Sequence, residues 1–174
     1  MKKTVLKFGL ISGGSITAMY VLLCLARNSG NLDISEILMY AGVVLLFIMV
    51  FLGVKSYRDS ERSGFITFGK AFKVGILISL VSSLCCAILW MILFKPIFKD
   101  FMKQHSAALM EKLRSSGASV EEIAAKNGEM LKHAELYENP FLRAGIIFIQ
   151  GFPVEAFMTV IASFILKKKQ PDVA

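Results

Sequence analysis

The chain has 174 residues, of which 55% are hydrophobic, and its mean hydropathy of +0.62 is too high for an ordinary soluble domain. The net charge of +7 comes from lysines and arginines that flank apolar segments, so it indicates membrane topology and argues against a nucleic-acid-binding surface. Outside the apolar segments the sequence has no phosphate-binding loop, no zinc-protease motif and no nucleophile beside a base, so we expect neither an enzyme nor a cofactor.

Four apolar runs are long enough to cross a bilayer. A helix rises 1.5 Å per residue, so about 20 apolar residues cover about 30 Å of hydrocarbon. The sequence therefore predicts an all-α integral membrane protein with one membrane domain, residues 1-174, and four transmembrane helices at about 5-26, 37-54, 74-94 and 141-166. The three cysteines lie inside these spans, where we expect them to behave as small apolar residues (Cys24, Cys85 and Cys86).

The first and third spans carry small residues along one helical face. The first span has a charged start but no small-residue cleavage site, so we expect it to stay uncleaved. Its small face contains Gly9, Gly13 and Thr17, and the face of the third span contains Gly75 and Ser79. Because small residues let helices approach closely, we expect both faces to pack inside the bundle, with a homodimer contact as the alternative for the first.

The segment between the third and fourth spans is polar enough to lie in water. It predicts a helical hairpin over about 96-139, in which Gly117 stops the first helix and a Ser119-x-x-Glu122 capping box opens the second. Two histidines, His105 and His133, are too few ligands for a metal site. The expected apolar seam of the second helix comprises Val120, Ile123, Met130, Ala134 and Tyr137.

Glu155 is the one carboxylate inside the predicted spans. It lies 12 residues from Arg143 and from Lys167, which places it near the bilayer midplane, where a charge is costly. Thr159 falls on the same helical face, and Gln150 precedes a Gly-Phe-Pro153 sequence that predicts a kink or a break. Three interpretations stay open for Glu155: a neutral side chain that binds serines of the first or third span and fixes the packing, a proton or cation site, and a ligand or lipid contact.

The distribution of charge predicts the orientation of the chain in the membrane. Basic residues cluster at both termini and in the loop after the second span, whereas the 95–140 segment has seven basic and seven acidic residues. The positive-inside rule then places both termini in the cytoplasm and the helical hairpin on the extracytoplasmic side.

Three sequence features resemble a known family. Thr67-Phe-Gly-Lys-Ala-Phe-Lys-Val-Gly75 opens the third span, Lys95-Pro-Ile-Phe-Lys-Asp-Phe leaves it, and three lysines close the last span at 167–169. Together with the charged helical pair, these features resemble the four-span bacterial membrane proteins of the domain of unknown function 4199 family. The resemblance implies a multi-pass protein of the bacterial inner membrane. That family has no established activity, so it implies no site residues.

Two functions fit these observations. The first is a non-enzymatic interaction protein or accessory subunit, whose partners are the lipid bilayer and either a second copy or another membrane protein, with no nucleic acid. The alternative is a small oligomeric transporter or channel, coupled to protons or cations through Glu155.

Overall fold

The computed structural model describes residues 1–28, 32–94 and 99–168 of the chain. In this part the secondary structure is helical, apart from one isolated backbone bridge. Four of the helices are long and apolar enough to cross a membrane, which confirms the all-α fold and identifies a multi-pass membrane protein. In chain order the helices are α1 (Lys2–Asn28), α2 (Leu32–Glu61), α3 (Phe68–Leu93), α4 (Lys99–Ser115), α5 (Val120–Glu138) and α6 (Pro140–Leu166).

Helix α3 is the central helix of the bundle. It packs against α1, α2 and α6, and α2 also contacts both α1 and α6. The apolar core divides into two clusters along the bundle. The first cluster surrounds Val54, Val74 and Ile78, and the second surrounds Ile16 and Trp90. The outward faces of the four long helices expose many large apolar side chains, which is the pattern expected of helices that face lipid.

Met1 and Lys168 meet the end of α2 and the loop between α2 and α3 at one end of the bundle. The ammonium group of Met1 forms an ion pair with Glu61, and the Thr4 hydroxyl donates to the same carboxylate at 2.8 Å. Ile66 and Lys168 exchange two backbone hydrogen bonds of 2.9 and 2.8 Å. We call this the terminal end of the bundle. Met1 and Lys168 therefore lie at the same end of the bundle.

Helices α4 and α5 lie at the opposite end and contact each other around a tight turn. Gly117 has a φ of +77°, a conformation that glycine adopts without strain, and it ends the first helix as predicted. The predicted capping box is present, because Ser119 accepts from the backbone N–H of Glu122 and the Glu122 side chain accepts in return. Asn139 then ends α5 and caps α6 by accepting from two backbone N–H groups of its first turn. We call this the hairpin end.

Helices α2 and α6 each differ from the prediction, α2 in its length and α6 in its continuity. Helix α2 extends seven residues past the expected boundary at 54, because Val54 and Tyr57 are buried in the core and hold the extra turns in place. Helix α6 runs unbroken through Pro153, so of the two predicted alternatives, a kink or a break, the break is wrong. A proline removes one backbone donor, and the hydrogen bonds of the neighbouring turns keep this helix continuous.

Candidate functional site

Glu155 lies inside the bundle and contacts serines of α3. Only 4% of its surface is exposed. Its Oε1 atom accepts a hydrogen bond from the Ser82 hydroxyl at 3.1 Å and a longer one from the Ser83 hydroxyl at 3.4 Å. Its Oε2 atom is buried and has no hydrogen-bond partner among the described residues. The carboxyl group is therefore held through one of its two oxygens.

The hydroxyl groups around Glu155 connect three helices. The Ser82 hydroxyl lies 3.1 Å from the Ser12 hydroxyl, so the contact that begins on α6 reaches α1 through α3. One turn further along α6, Thr159 lies 3.1 Å from Ser79 of α3. Burying a charge in such a site is costly, and hydroxyl groups compensate only part of the cost. Of the serines that the packing interpretation named, those of the first or third span, Glu155 binds the ones of the third.

The small-residue faces lie at close contacts between helices. A Cβ atom at Gly9 would lie 2.6 Å from Val81, and one at Gly13 would lie 2.6 Å from the Ser82 carbonyl oxygen. A Cβ atom at Gly75 would lie 2.5 Å from a methyl group of Thr159. The α1 face that could have formed a homodimer is thus occupied by α3 of the same chain.

Thr17 and Ser79 occupy the same contact surfaces as these glycines. The Thr17 hydroxyl donates to the Gly13 carbonyl at 2.8 Å and lies 3.7 Å from the Cys86 sulfur, on the α1–α3 contact. Ser79 lies on the α3–α6 contact through its pairing with Thr159. All the candidate packing residues therefore face neighbouring helices of this chain.

Gln150 lies apart from the Glu155 site. Its side chain is exposed on α6, whereas Glu155 and Thr159 point into the bundle. It forms a hydrogen bond with the side chain of Tyr137 near the hairpin end. Burial raises the pKa of the Tyr137 hydroxyl, and this hydrogen bond lowers it by a smaller amount. Of the three predicted polar residues, the structure brings only Glu155 and Thr159 together.

Arg143 forms a second buried polar site, which the sequence analysis used only as a marker of the membrane boundary. Its guanidinium group donates to the carbonyl oxygens of Tyr137 at 2.5 Å and Met91 at 3.3 Å, and it lies 4.0 Å from the centre of the Phe94 ring. Both carbonyls belong to the last turns of helices, α5 and α3, where the helix dipole is negative. Arg143 thus joins the hairpin to the bundle.

These side chains offer one carboxyl group that can bind a proton, and hydrogen bonds that join helices. The described residues contain no group of three histidine, cysteine or acidic side chains that could hold a metal ion. The side chains of His105 and His133, and that of Ala134 in the expected seam, lie outside the described part. Within that seam Ile123, Met130 and Tyr137 are half-buried, whereas Val120 is 84% exposed.

Comparison with known proteins gives one match. A family model described as "Protein of unknown function (DUF4199)" matches residues 7–168, which is nearly the whole chain. No curated protein and no solved structure matches the chain.

Proposed function

This chain belongs to the DUF4199 family of proteins of unknown function, and from that premise we propose that it is a non-enzymatic bacterial inner-membrane protein that acts by binding another membrane protein. The proposed orientation follows the positive-inside rule, with both termini in the cytoplasm and the α4–α5 hairpin on the outer side. The hairpin is then the part of the chain that can meet a partner outside the hydrocarbon core.

The observation that carries this proposal is an exposed apolar stripe on α5. Val120 is 84% exposed and Leu131 is 61% exposed. They lie 11 residues apart, which is three helical turns, so they fall on one side of the helix together with the exposed Ala124. Apolar side chains that line up on a water-facing helix are typical of a binding surface.

The packing inside the bundle leaves the α5 stripe as a surface that a partner can bind. The glycine faces that often join transmembrane helices of different molecules already meet α3 and α6 of this chain, at Gly9, Gly13 and Gly75. A partner would therefore use either the lipid-facing surface or α5. Of these two, α5 exposes apolar groups to water, so covering them gains free energy from the hydrophobic effect.

The proposal is tested by photo-cross-linking in cells. A photoreactive residue at position 131 lies within the stripe, and one at Glu129 lies on the opposite side of α5 as a matched control. Glu129 pairs with Lys126 at the surface, and replacing it costs little stability. We expect a product of defined mass from position 131 that is absent from position 129, and we expect Leu131→Glu to abolish co-purification of the same partner. Equal products from both positions, or none from either, would contradict the proposal.

A second candidate function is proton- or cation-coupled transport by a small oligomer. The buried Oε2 atom of Glu155, which has no hydrogen-bond partner among the described residues, favours it. An ionisable group at this depth is expensive and commonly functional. In proteoliposomes, Glu155→Gln should abolish a proton- or cation-dependent flux that Thr17→Val retains. Equal flux in wild-type, Glu155→Gln and empty vesicles would refute this function.

A further inference from the structure

The buried side chains next to Glu155 differ between the two directions along the bundle, toward the terminal end and toward the hairpin end. Toward the terminal end, hydroxyl groups follow on successive turns of the α3–α6 contact. Ser79 and Thr159 pair at 3.1 Å, and Ser163 lies one turn beyond Thr159 and donates to its carbonyl at 2.7 Å. All three side chains are fully buried. A hydroxyl group both donates and accepts hydrogen bonds, so such a series can carry a proton when the helices fluctuate.

Toward the hairpin end, the buried Thr17 hydroxyl donates to a backbone carbonyl, and apolar rings and a buried cation follow beyond it. The cluster around Ile16, Trp90 and Phe94 fills the bundle beyond Glu155. Arg143 is 3% exposed and places its guanidinium group over the Phe94 ring. A buried positive charge repels protons and other cations, as arginines do in pores that exclude them. A proton would therefore meet an apolar and electrostatic barrier on this side.

The coordination around Glu155 distinguishes a proton from a metal ion. Calcium takes six to eight oxygen ligands and magnesium takes six. Oε1 already accepts from Ser82 and Ser83, and no polar partner among the described residues reaches Oε2. A metal ion at Oε2 would have a single protein ligand. A proton needs only that one oxygen, and it removes the cost of burying a charge.

We propose that Glu155 binds a single proton on Oε2 and exchanges it with the solution at the terminal end of the bundle. The inference names the ligand of Glu155 and its route, and it holds whether or not the protein also carries protons across the membrane. Of the groups on the packed helices, α1 contributes the neutral Ser12 and α3 contributes the serines and the Cys86 thiol, which is close enough to interact electrostatically. Arg143 is the other charged side chain that is buried among the described residues.

The test is infrared spectroscopy of the full chain in vesicles with a known orientation of insertion. The carbonyl band of a protonated carboxyl group is assigned to Glu155 by its loss in Glu155→Gln. The pH is then varied separately in the lumen and outside. We expect the band to fall about tenfold for each pH unit above its midpoint when the pH at the terminal end rises, and to stay constant when only the pH at the hairpin end rises.

Two threonine variants test the route. Thr159→Val removes a hydroxyl on the proposed path, and Thr17→Val removes a buried hydroxyl on the opposite side of Glu155. After a pH jump at the terminal end, Thr159→Val should slow the change in the band several-fold, whereas Thr17→Val should leave it unchanged. Ser163→Ala provides a second variant of the path if Thr159→Val does not fold.

Each remaining result overturns part of the proposal. A band that follows the pH at the hairpin end overturns the route. A band that follows neither pH overturns exchange, and no band assignable to Glu155 overturns proton binding. The transport function is tested separately by the flux measurement. If the band titrates from the terminal end but the vesicles show no flux, the proton site stands and only the transport function is refuted.

Discussion

Ser82 of α3 donates a hydrogen bond to Glu155 of α6 across the interior of the bundle, with 3.1 Å between Oγ and Oε1. The same hydroxyl lies 3.1 Å from Ser12 of α1, so one serine joins three of the four membrane-spanning helices. The contact has two consequences. It fixes the relative positions of the helices, and it places an ionisable group where burial penalises the charged form.

Glu155→Gln should leave the stability of the bundle nearly unchanged near neutral pH, within about 1 kcal/mol, because the amide keeps the size and the acceptor that Ser82 uses. Glu155→Ala should cost about 3 kcal/mol, because it leaves a cavity and an unpaired hydroxyl. Unfolding in mixed detergent micelles with increasing sodium dodecyl sulfate measures the change in unfolding free energy of both variants. A glutamine variant as unstable as the alanine variant would contradict this expectation.

The stability of the wild-type protein should decrease as the pH rises. The fold favours the neutral carboxyl group of Glu155. The contribution of this group to the free energy of unfolding is therefore fully present at low pH and is lost as rising pH removes the proton. We therefore expect the unfolding free energy to fall with rising pH in the wild type more steeply than in Glu155→Gln, measured in the same micelles. Parallel pH profiles for the two proteins would contradict the assignment of this dependence to Glu155.

Gly13 and Gly14 are neighbours with opposite environments. A Cβ atom at Gly13 would lie 2.6 Å from the Ser82 carbonyl oxygen, whereas nothing lies within 4 Å of one at Gly14. Because a backbone atom cannot move aside, Gly13→Ala should destabilise the protein by about 1–3 kcal/mol. Gly14→Ala should be neutral or stabilise it by up to about 1 kcal/mol through helix propensity. The midpoints of thermal unfolding of the two variants test this, and equal midpoints would refute close packing of α1 on α3.

The features that the sequence predicts correctly depend on local physics. The four membrane-spanning helices follow from runs of apolar residues, and the stop at Gly117 follows from glycine's tolerance of positive φ. The capping box at Ser119 is likewise a contact within four residues. None of these features requires knowledge of which helix packs beside which.

The features that the sequence does not predict depend on tertiary contacts. Arg143 looks like a boundary charge until the ends of α3 and α5 are brought beside it. Helix α2 reaches Glu61 because Tyr57 is buried by neighbouring helices, which hydropathy does not show. The sequence groups Gln150 with Glu155, five residues away, and only the tertiary structure places Gln150 on the exposed side of α6, hydrogen-bonded to Tyr137.

Arg143→Met should loosen the hairpin while leaving the bundle folded. The variant keeps an apolar stem but leaves the Tyr137 and Met91 carbonyls without the guanidinium donor, each at a cost of about 1–3 kcal/mol. Hydrogen exchange should become faster around 135–142 and stay unchanged in α1. Arg143→Lys should be intermediate, because one ammonium group cannot reproduce a planar group that spans two carbonyls.

The matched control for Arg143 is Arg114→Met on α4. Arg114 is largely exposed and lies 3.8 Å from Glu111, a surface pair that contributes little. Its substitution should leave exchange around 135–142 unchanged. If both arginine variants increased exchange there equally, the effect would reflect lost charge on the hairpin, and the buried contact of Arg143 would not be its cause.

Thiol labelling of two serine positions should establish the orientation of the chain. Ser60→Cys lies at the terminal end and Ser116→Cys lies in the turn between α4 and α5, and both positions are exposed. The positive-inside rule predicts that a membrane-impermeant maleimide modifies Ser116→Cys in intact spheroplasts and modifies Ser60→Cys only after lysis. The native cysteines lie within helices that span the membrane, and the unsubstituted protein measures their background. Modification of Ser60→Cys alone in intact spheroplasts would invert the proposed topology. It would also place the hairpin in the cytoplasm and direct the search for a partner of the α5 stripe to that side.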